Sequence, residues 1–235
     1  MKPIFALTAV LIACGGTPLD PGAGSDPGSG THTLLVTGSA TASPRLANAA
    51  IATDFDTDFG IHLSLNNTPV TTGTVTAKSK YTTVNLTWNA NGGQFGRWEG
   101  TAAAYDEVYE LDVTSGADTI TGVIVDGPDI HVITGPTAGA TLDSTMMFTT
   151  TWNRADAATE ARFSVGDTDG LIIPDTGTYS VAPGSLHADQ AQARTNTIRI
   201  TRTNRITPAG AVDGSTFAVS VENELDVVAA PCPTC

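Results

Sequence analysis

The chain has 235 residues, of which 40% are apolar and 6% aromatic, so it is long enough to bury a core but has few large side chains to fill it. Its formal net charge is -13, from 11 basic and 24 acidic residues, which would repel a phosphate backbone and argues against nucleic-acid binding. Thr outnumbers every other residue type, and Gly and Pro are frequent. Because β-branched residues favour strands and Gly and Pro favour turns, the composition predicts an all-β protein.

The N-terminal segment has the layout of a secretory signal. Lys2 supplies a positive charge, and residues 4–12 are mostly apolar, a run too short to span a bilayer, for which about 20 residues are needed. The run ends in Leu11-Ile12-Ala13-Cys14. This ending resembles the bacterial lipobox, a signal in which cleavage occurs before a Cys that is lipidated.

The lipobox resemblance implies an address for the protein. Residues 1–13 would be removed as a signal peptide, and Cys14 would carry the lipid anchor, since several buried acyl chains hold a protein stably on a membrane. Gly15 rather than Asp follows Cys14, which implies the outer membrane of the bacterial cell envelope as the destination. The alternative is an ordinary signal peptide followed by an unrelated Cys.

Residues 14–30 are predicted to be a flexible tether. The segment after Cys14 consists mainly of Gly, Pro, Ser and Asp and has no periodic apolar positions. A flexible chain of this length holds a folded domain on the order of 20 Å from the membrane surface. We therefore expect the rest of the protein to be displayed beyond the lipid headgroups.

Residues 31–129 are predicted to form a first β-sandwich. Apolar residues alternate with polar ones, and turn signals such as Asn91-Gly92-Gly93 interrupt the alternation at the spacing typical of sandwiches. The predicted strands are residues 33–41, 60–65, 72–77, 82–88, 97–103, 105–113 and 119–125. Residues 46–50 have a helix-like composition but are too few for a stable helix, so a loop or a single turn is expected there.

Residues 130–230 are predicted to form a second β-sandwich, after a boundary near Asp129. The predicted strands are residues 146–152, 160–165, 171–173, 177–181, 195–202 and 215–228. The last strand has the clearest pattern, because apolar and polar residues alternate strictly. The apolar residues are Val219, Val221, Leu225 and Val227, and the polar ones are Ser220, Glu222, Glu224 and Asp226. One face of this strand is therefore expected to lie in the core and the other in water.

The first half carries three motifs within residues 60–126. They are Thr68-Pro69-Val70, Gly96-Arg97-Trp98 and Tyr109-Glu110-Leu111-Asp112-Val113. With these motifs the segment resembles the prealbumin-like, carboxypeptidase-regulatory-like domains. The resemblance implies an antiparallel β-sandwich for the first half.

The second half carries motifs of another kind. They are Pro136 with Gly139, Thr149-Thr150-Thr151-Trp152-Asn153, and Phe163-Ser164-Val165. With these the segment is similar to the opening of fibronectin type III and other immunoglobulin-like modules, in which an early strand carries a core Trp. The two resemblances together imply tandem immunoglobulin-like and prealbumin-like antiparallel β-sandwiches. Such modules usually scaffold or bind, and the fold alone assigns no chemistry.

Three carboxylates occupy alternate positions in one short segment. Asp54, Asp56 and Asp58 supply the oxygen ligands that a hard cation such as Ca²⁺ requires, so the segment is a candidate calcium site. It lacks the Gly and the Glu that an EF-hand loop has at its sixth and twelfth positions. The alternative is a strand in which the Asp side chains are solvated while Phe55 and Phe59 face the core.

The three Trp residues are candidates for a sugar-stacking surface, because aromatic faces bind pyranose rings. Trp88 and Trp152 lie among β-branched residues, which is typical of a core position. Trp98 follows a Gly-rich stretch, residues 91–96, and is expected near a loop, where exposure would allow it to bind a carbohydrate. Trp98 is therefore the candidate ligand-binding residue.

The chain ends in a Cys-x-x-Cys motif, Cys232-Pro233-Thr234-Cys235. In a thioredoxin-like enzyme this motif opens a helix, whereas here it lies in a Pro-containing tail, residues 231–235, after the last predicted strand. In an oxidising envelope a small disulfide loop between Cys232 and Cys235 is expected, with a metal-binding tail as the alternative.

The sequence contains no motif of a serine hydrolase or a nucleotide-binding enzyme, and its four His residues lack the short spacings of zinc sites. An enzyme is therefore not expected, and neither is a cofactor apart from calcium. The predicted function is that of an envelope-anchored surface lipoprotein that binds a protein or polysaccharide partner or has a structural or adhesion role. A carbohydrate-binding module is the first alternative, and a secreted hydrolase is the second.

Overall fold

The structure, a computed structural model, describes residue 19 and residues 24–93, 96–166 and 168–233. The predicted signal peptide, residues 1–13, lies outside the described residues, as do Cys14 and Cys235. The described chain is all-β, with one short 3-10 turn at Ala52–Asp54, which confirms the predicted fold class. No helix in the described part of the chain is long and apolar enough to cross a membrane.

The described residues form seventeen strands. In chain order they are β1 (Ser29–Gly30), β2 (Leu34–Pro44), β3 (Phe55–Leu65), β4 (Thr68–Pro69), β5 (Thr74–Lys78), β6 (Thr83–Asn89), β7 (Arg97–Ala102), β8 (Val108–Ser115), β9 (Asp118–Asp126), β10 (Ile133–Gly135), β11 (Thr141–Leu142), β12 (Phe148–Trp152), β13 (Glu160–Val165), β14 (Thr168–Ile173), β15 (Thr178–Val181), β16 (Arg194–Ile206) and β17 (Thr216–Ala229). Each strand predicted from the sequence overlaps one of these, because alternating burial leaves a local signal in the sequence. Residues 46–50 form no helix, as expected.

Fourteen strands belong to one continuous sheet, in the order β1-β9-β8-β5-β6-β7-β3-β2-β17-β16-β13-β14, with β4 beside β3 and β11 beside β17. The other sheet has the order β10-β12-β15. Two pairs in the large sheet are parallel, β2 with β17 and β11 with β17. The expectation of purely antiparallel sandwiches is corrected at these two places, because the C-terminal strand enters the sheet beside strands that run in its own direction.

The sheets enclose two hydrophobic cores, and β17 contributes to both. Phe217, Val219 and Val221 pack in the first core, with residues of β2, β3 and β5 to β9. Leu225 and Val227 pack in the second core, with residues of β10 and β12 to β16. The face predicted to be apolar in this strand is therefore buried along its whole length. The division into residues 31–129 and 130–230 stays a prediction, and the long β16–β17 hairpin joins the two units that it separates.

The end of the predicted tether is docked onto the first sandwich. Asp26 donates its backbone N–H to the carbonyl oxygen of Ile124 at 2.9 Å, and β1 pairs with β9. Gly30 approaches Gly210 so closely that a Cβ on Gly210 would lie 2.0 Å from the backbone nitrogen of Gly30. Residues 24–30 therefore belong to the folded body, which corrects the expectation of a tether that extends to residue 30.

Candidate functional site

The outer face of the large sheet carries a groove that crosses β2, β3 and β7. Along these strands, residues that face the core alternate with residues that face away from it. Val36, Phe59 and Trp98 are buried on the core side. Their neighbours along each strand point outward and include Thr, Ser, Asp, His and Arg side chains. This face of the sheet is therefore rich in hydrogen-bonding groups.

Two adjoining depressions, of about 400 and 340 Å³, make up the groove. They share Thr37 and His62, so a single ligand can occupy both. The first is lined by Thr37, Gly38, Ser39, Thr41, Asp58, Phe59, Gly60, His62 and Arg97. The second is lined by Leu35, Thr37, His62, Leu63, Ser64, Asn67, Pro69 and Gly96.

Small residues in register across three strands explain the hollow. Ser39 on β2 pairs with Gly60 on β3 and with Ala218 on β17. Longer side chains stand on the flanking strands, where Glu99 of β7 pairs with Gly60 and Arg205 of β16 pairs with Ala218. A row of short side chains between long ones leaves a depression in the surface of the sheet.

His62 lies where the two depressions meet. Its Nδ1 atom is 2.8 Å from the carbonyl oxygen of Gly96. Because a carbonyl oxygen can only accept a hydrogen bond, Nδ1 carries the proton and the neutral ring keeps Nε2 as an acceptor. The His62 side chain is exposed, so this acceptor is available to a ligand.

Arg97 lies at the β7 side of the groove. Its Nε donates to Oε1 of Glu99 at 2.5 Å, and Oε2 of Glu99 accepts from Nδ2 of Asn89 at 2.6 Å. These bonds, from Asn89 first and from Arg97 second, lower the pKa of the Glu99 carboxyl. An ideal Cβ on Gly60 would lie 3.4 Å from Nη1 of Arg97, so the guanidinium extends over the small residues of the groove.

Asp58 is the carboxylate of the groove and lies on the same face of β3 as His62. Four residues along a strand separate their Cα atoms by about 13 Å, so the two side chains are not a hydrogen-bonded acid–base pair. The lining therefore presents hydroxyl, carboxylate, imidazole and guanidinium groups at separate points. This arrangement suits the binding of a polar ligand through several hydrogen bonds.

The three Asp residues predicted to bind calcium lie on different elements. Asp54 ends the 3-10 turn, whereas Asp56 and Asp58 are on the outward face of β3, between buried residues. Asp56 forms an ion pair with Arg45, whose hydrogen bond lowers the pKa of the Asp56 carboxyl. Among the described residues, no group of three His, Cys, Asp or Glu side chains is placed to hold a metal ion. Calcium binding stays a prediction, and this geometry favours the solvated-strand alternative.

Trp98 is buried, with 5% of its surface exposed, so the expectation that it is an exposed sugar-stacking residue is wrong. Its Nε1 donates to the carbonyl oxygen of Val70 at 2.9 Å, and its ring packs edge-on against Trp88 at 6.1 Å between centroids. Because Arg97 and Glu99 face outward, strand alternation places the residue between them in the core.

Cys232 is buried and disulfide-bonded. Its backbone N–H donates to the carbonyl oxygen of Asp189 at 2.8 Å, which holds the start of the C-terminal tail on the second sandwich. The predicted partner Cys235 and the predicted lipidation site Cys14 lie outside the described residues. The Cys232–Cys235 pairing and the lipid on Cys14 stay predictions.

A fully buried arginine, which the sequence reasoning missed, lies where the two sandwiches meet. Nε of Arg202 donates to Oδ2 of Asp175 at 2.9 Å, and its Nη atoms donate to the carbonyl oxygens of Asp129 and Asp156. Asp175 also accepts a hydrogen bond from Nε1 of Trp152 at 3.0 Å. These bonds keep the pKa of Asp175 low although burial opposes its ionisation. The network fixes the second core to the junction.

His131 is the second buried titratable group at the junction. Its Nε2 is 3.1 Å from the carbonyl oxygen of Ile200, and Nδ1 is buried without a hydrogen-bond partner. Burial first, and then the positive charge of Arg202, lower the pKa of His131 to about 4. His131 is therefore neutral at pH 7, which makes it a structural group and not a proton donor at that pH.

An acidic cavity of about 130 Å³ adjoins Arg202. Glu107, Asp126, Asp129 and Asp156 line it. Burial, followed by the charge of Asp129, raises the pKa of both Glu107 and Asp126. Because the carbonyl oxygens of Asp129 and Asp156 accept hydrogen bonds from the guanidinium of Arg202, its charge offsets part of the negative potential here.

Comparison with known protein families finds no matching family model, and comparison with curated proteins finds no significant relative.

Proposed function

We propose that the protein is a lipid-anchored binding module of the bacterial outer envelope, and that its ligand binds in the groove across β2, β3 and β7. The lipobox resemblance at Cys14 supports the anchor. The sandwich-like architecture, which is compatible with immunoglobulin-like modules, supports a scaffolding and binding role. The resemblance of the two halves to prealbumin-like and fibronectin type III modules agrees with that role.

The hydrogen-bonding lining of the groove is the observation that carries the proposal. Thr37, Ser39 and Thr41 place three hydroxyl groups at alternate positions of one strand. Asp58 and Arg97 add a charged acceptor and a charged donor. A concave site with a few convergent polar groups on a rigid sheet is typical of a ligand-binding surface.

Binding accounts for this site better than catalysis does. His62 gives its Nδ1 proton to a backbone carbonyl oxygen instead of a carboxylate, and it lies about 13 Å along the strand from Asp58. A general base oriented by an acid requires direct hydrogen-bond contact between the two groups. We therefore propose that the protein is not an enzyme, and that it is not a secreted hydrolase.

A carbohydrate ligand is the second candidate, because the hydroxyl-bearing lining matches the donors and acceptors of a polysaccharide. The recognition would be by hydrogen bonds and not by stacking on Trp side chains, since Trp98 and Trp152 are buried and Trp88 is half-buried. A protein partner would use the same polar groups together with Leu35 and Pro69, which line the second depression.

Blocking the groove tests the proposal. Thr37 is exposed and lines both depressions, so Thr37→Trp fills the groove without disturbing the core. Thr83, an exposed Thr on β6, provides the matched control Thr83→Trp. The assay is retention of the labelled protein by isolated cell envelopes, with and without purified envelope polysaccharide as competitor.

Thr37→Trp should weaken retention by about tenfold, since a clash in the site removes affinity without changing the fold. Thr83→Trp should bind as the parent does. Competition by the polysaccharide would assign the ligand to the carbohydrate class. Equal retention of all three proteins would show that the groove is not the binding surface.

A further inference from the structure

The strand β14 is an open edge of the large sheet. Among the described strands it pairs only with β13, so one side of its six-residue backbone has no strand partner. At the opposite end of the same sheet, residues 24–30 cover β9. Unpaired N–H and C=O groups on an edge strand are a template for an added strand.

β14 exposes apolar side chains on both of its faces. Leu171 pairs with the buried Phe163, so it lies on the core face, yet it is 43% exposed. Ile172 pairs with Arg162 on the outer face and is 61% exposed. Natural edge strands usually carry Lys or Pro to prevent pairing, and the sequence of β14 contains neither. An extended strand laid beside β14 would cover both side chains and extend the sheet over the second core.

The charge on β14 distinguishes among the strands that could pair with it. Asp169 is the only charged residue of β14. Parallel pairing of two copies in register would place the two Asp169 carboxylates side by side, which is unfavourable. Antiparallel pairing about a two-fold axis at Leu171 would separate them by four residues, about 13 Å, which exceeds the screening length of about 8 Å at physiological salt.

We propose that two copies of the chain associate through β14, antiparallel and with Leu171 opposite Leu171 of the second copy. Each copy then supplies the apolar side chains that cover the exposed Leu171 and Ile172 of the other, and the two Asp169 residues lie apart. The contact is isologous, so it closes as a dimer and does not propagate. It uses a different strand from the ligand groove and is independent of the proposed function.

Disulfide cross-linking in isolated envelopes tests this contact on the full chain. The variant Leu171→Cys places two thiols opposite each other across the proposed axis, at a separation suited to a disulfide. Leu46→Cys is the matched control, because Leu46 is 54% exposed and lies outside any strand. After mild oxidation, Leu171→Cys should run on a non-reducing gel at twice the mass of the chain, whereas Leu46→Cys and the parent should not.

A second substitution distinguishes pairing from random collision. Ile172→Lys, added to Leu171→Cys, should reduce the cross-linked fraction by about tenfold because a charge on the edge opposes pairing. Ile51→Lys is the matched control, since Ile51 is 59% exposed, and it should leave the cross-link unchanged. Absence of the dimer band for Leu171→Cys, an equal band for Leu46→Cys, or a cross-linked product of another mass would overturn the proposal.

Discussion

The burial of His131 predicts that the protein loses stability in mildly acidic solution. The folded chain keeps this imidazole neutral with a pKa of about 4, whereas the unfolded chain protonates it near 6.5. A base whose pKa is lowered by folding contributes its full stability above the unfolded pKa. That contribution is lost as the pH falls from 6.5 to 4, because the unfolded state then binds more protons than the folded state.

The size of the loss follows from the two pKa values. Their difference corresponds to about 3 kcal/mol over the whole range and to about 2 kcal/mol between pH 7 and pH 5. Asp175, whose pKa is lowered, contributes in the same direction but at a lower pH. Glu107 and Asp126, whose pKa values are raised, act in the opposite direction, because folding favours their protonated forms. A variant of His131 therefore isolates its own contribution.

Urea unfolding followed by Trp fluorescence at pH 7, 6 and 5 measures the effect. His131→Gln keeps a donor for the carbonyl oxygen of Ile200 but does not titrate, so its stability should fall by about 2 kcal/mol less than that of the parent over this range. His62→Gln changes an exposed His and should follow the parent. A loss of equal size in His131→Gln and the parent would refute this account of the buried histidine.

Three further predictions concern the core, the N-terminal segment and the anchor. Trp152→Ala should cost about 3 to 5 kcal/mol of unfolding free energy, because the side chain is 3% exposed and bonds the buried Asp175; an unchanged melting temperature would contradict its place in the core. Gly210→Ala should cost about 1 to 3 kcal/mol and expose residues 24–30 to protease, since no space exists for a Cβ, whereas Gly60→Ala, with its nearest atom at 3.4 Å, should have little effect. Cys14→Ser should move the protein from the membrane to the soluble fraction on cell fractionation, and continued membrane association would show that the lipobox prediction is wrong.

Strand positions were predictable from the sequence because burial on one face repeats every second residue. In β17 the alternation of Val219, Val221, Leu225 and Val227 with polar residues fixed both the strand and its core face. The parallel pairing of β17 with β2 was not predictable in this way, since the two strands lie near opposite ends of the chain and no local pattern records their contact. The sharing of β17 between two cores depends on that pairing.

The buried Arg202 had a signal that the sequence reasoning did not use. It follows Ile198 and Ile200 at alternate positions, which places it on the core face of β16. A charge on that face requires a buried partner, but Asp175 lies in a loop that no periodicity identifies.

Gly-rich composition gave the wrong expectation for residues 24–30. Such segments are usually flexible linkers, but the lack of side chains also lets Gly28 and Gly30 approach the backbone of β9 and the turn at Gly210. The groove was likewise hidden from the sequence. Its lining comes from three strands, and only their register places Ser39 beside Gly60.

Chemical modification of His62 tests the central claim, that the ligand binds in the groove across β2, β3 and β7. His62 is exposed, with Nε2 free to react with diethyl pyrocarbonate, and the exposed His32 serves as an internal reference in the same sample. Mass spectrometry then gives the modification rate of each residue for the protein free in solution and bound to isolated envelopes. The account predicts that binding slows modification of His62 severalfold and leaves that of His32 unchanged. An unchanged rate at His62 in the bound protein would contradict it.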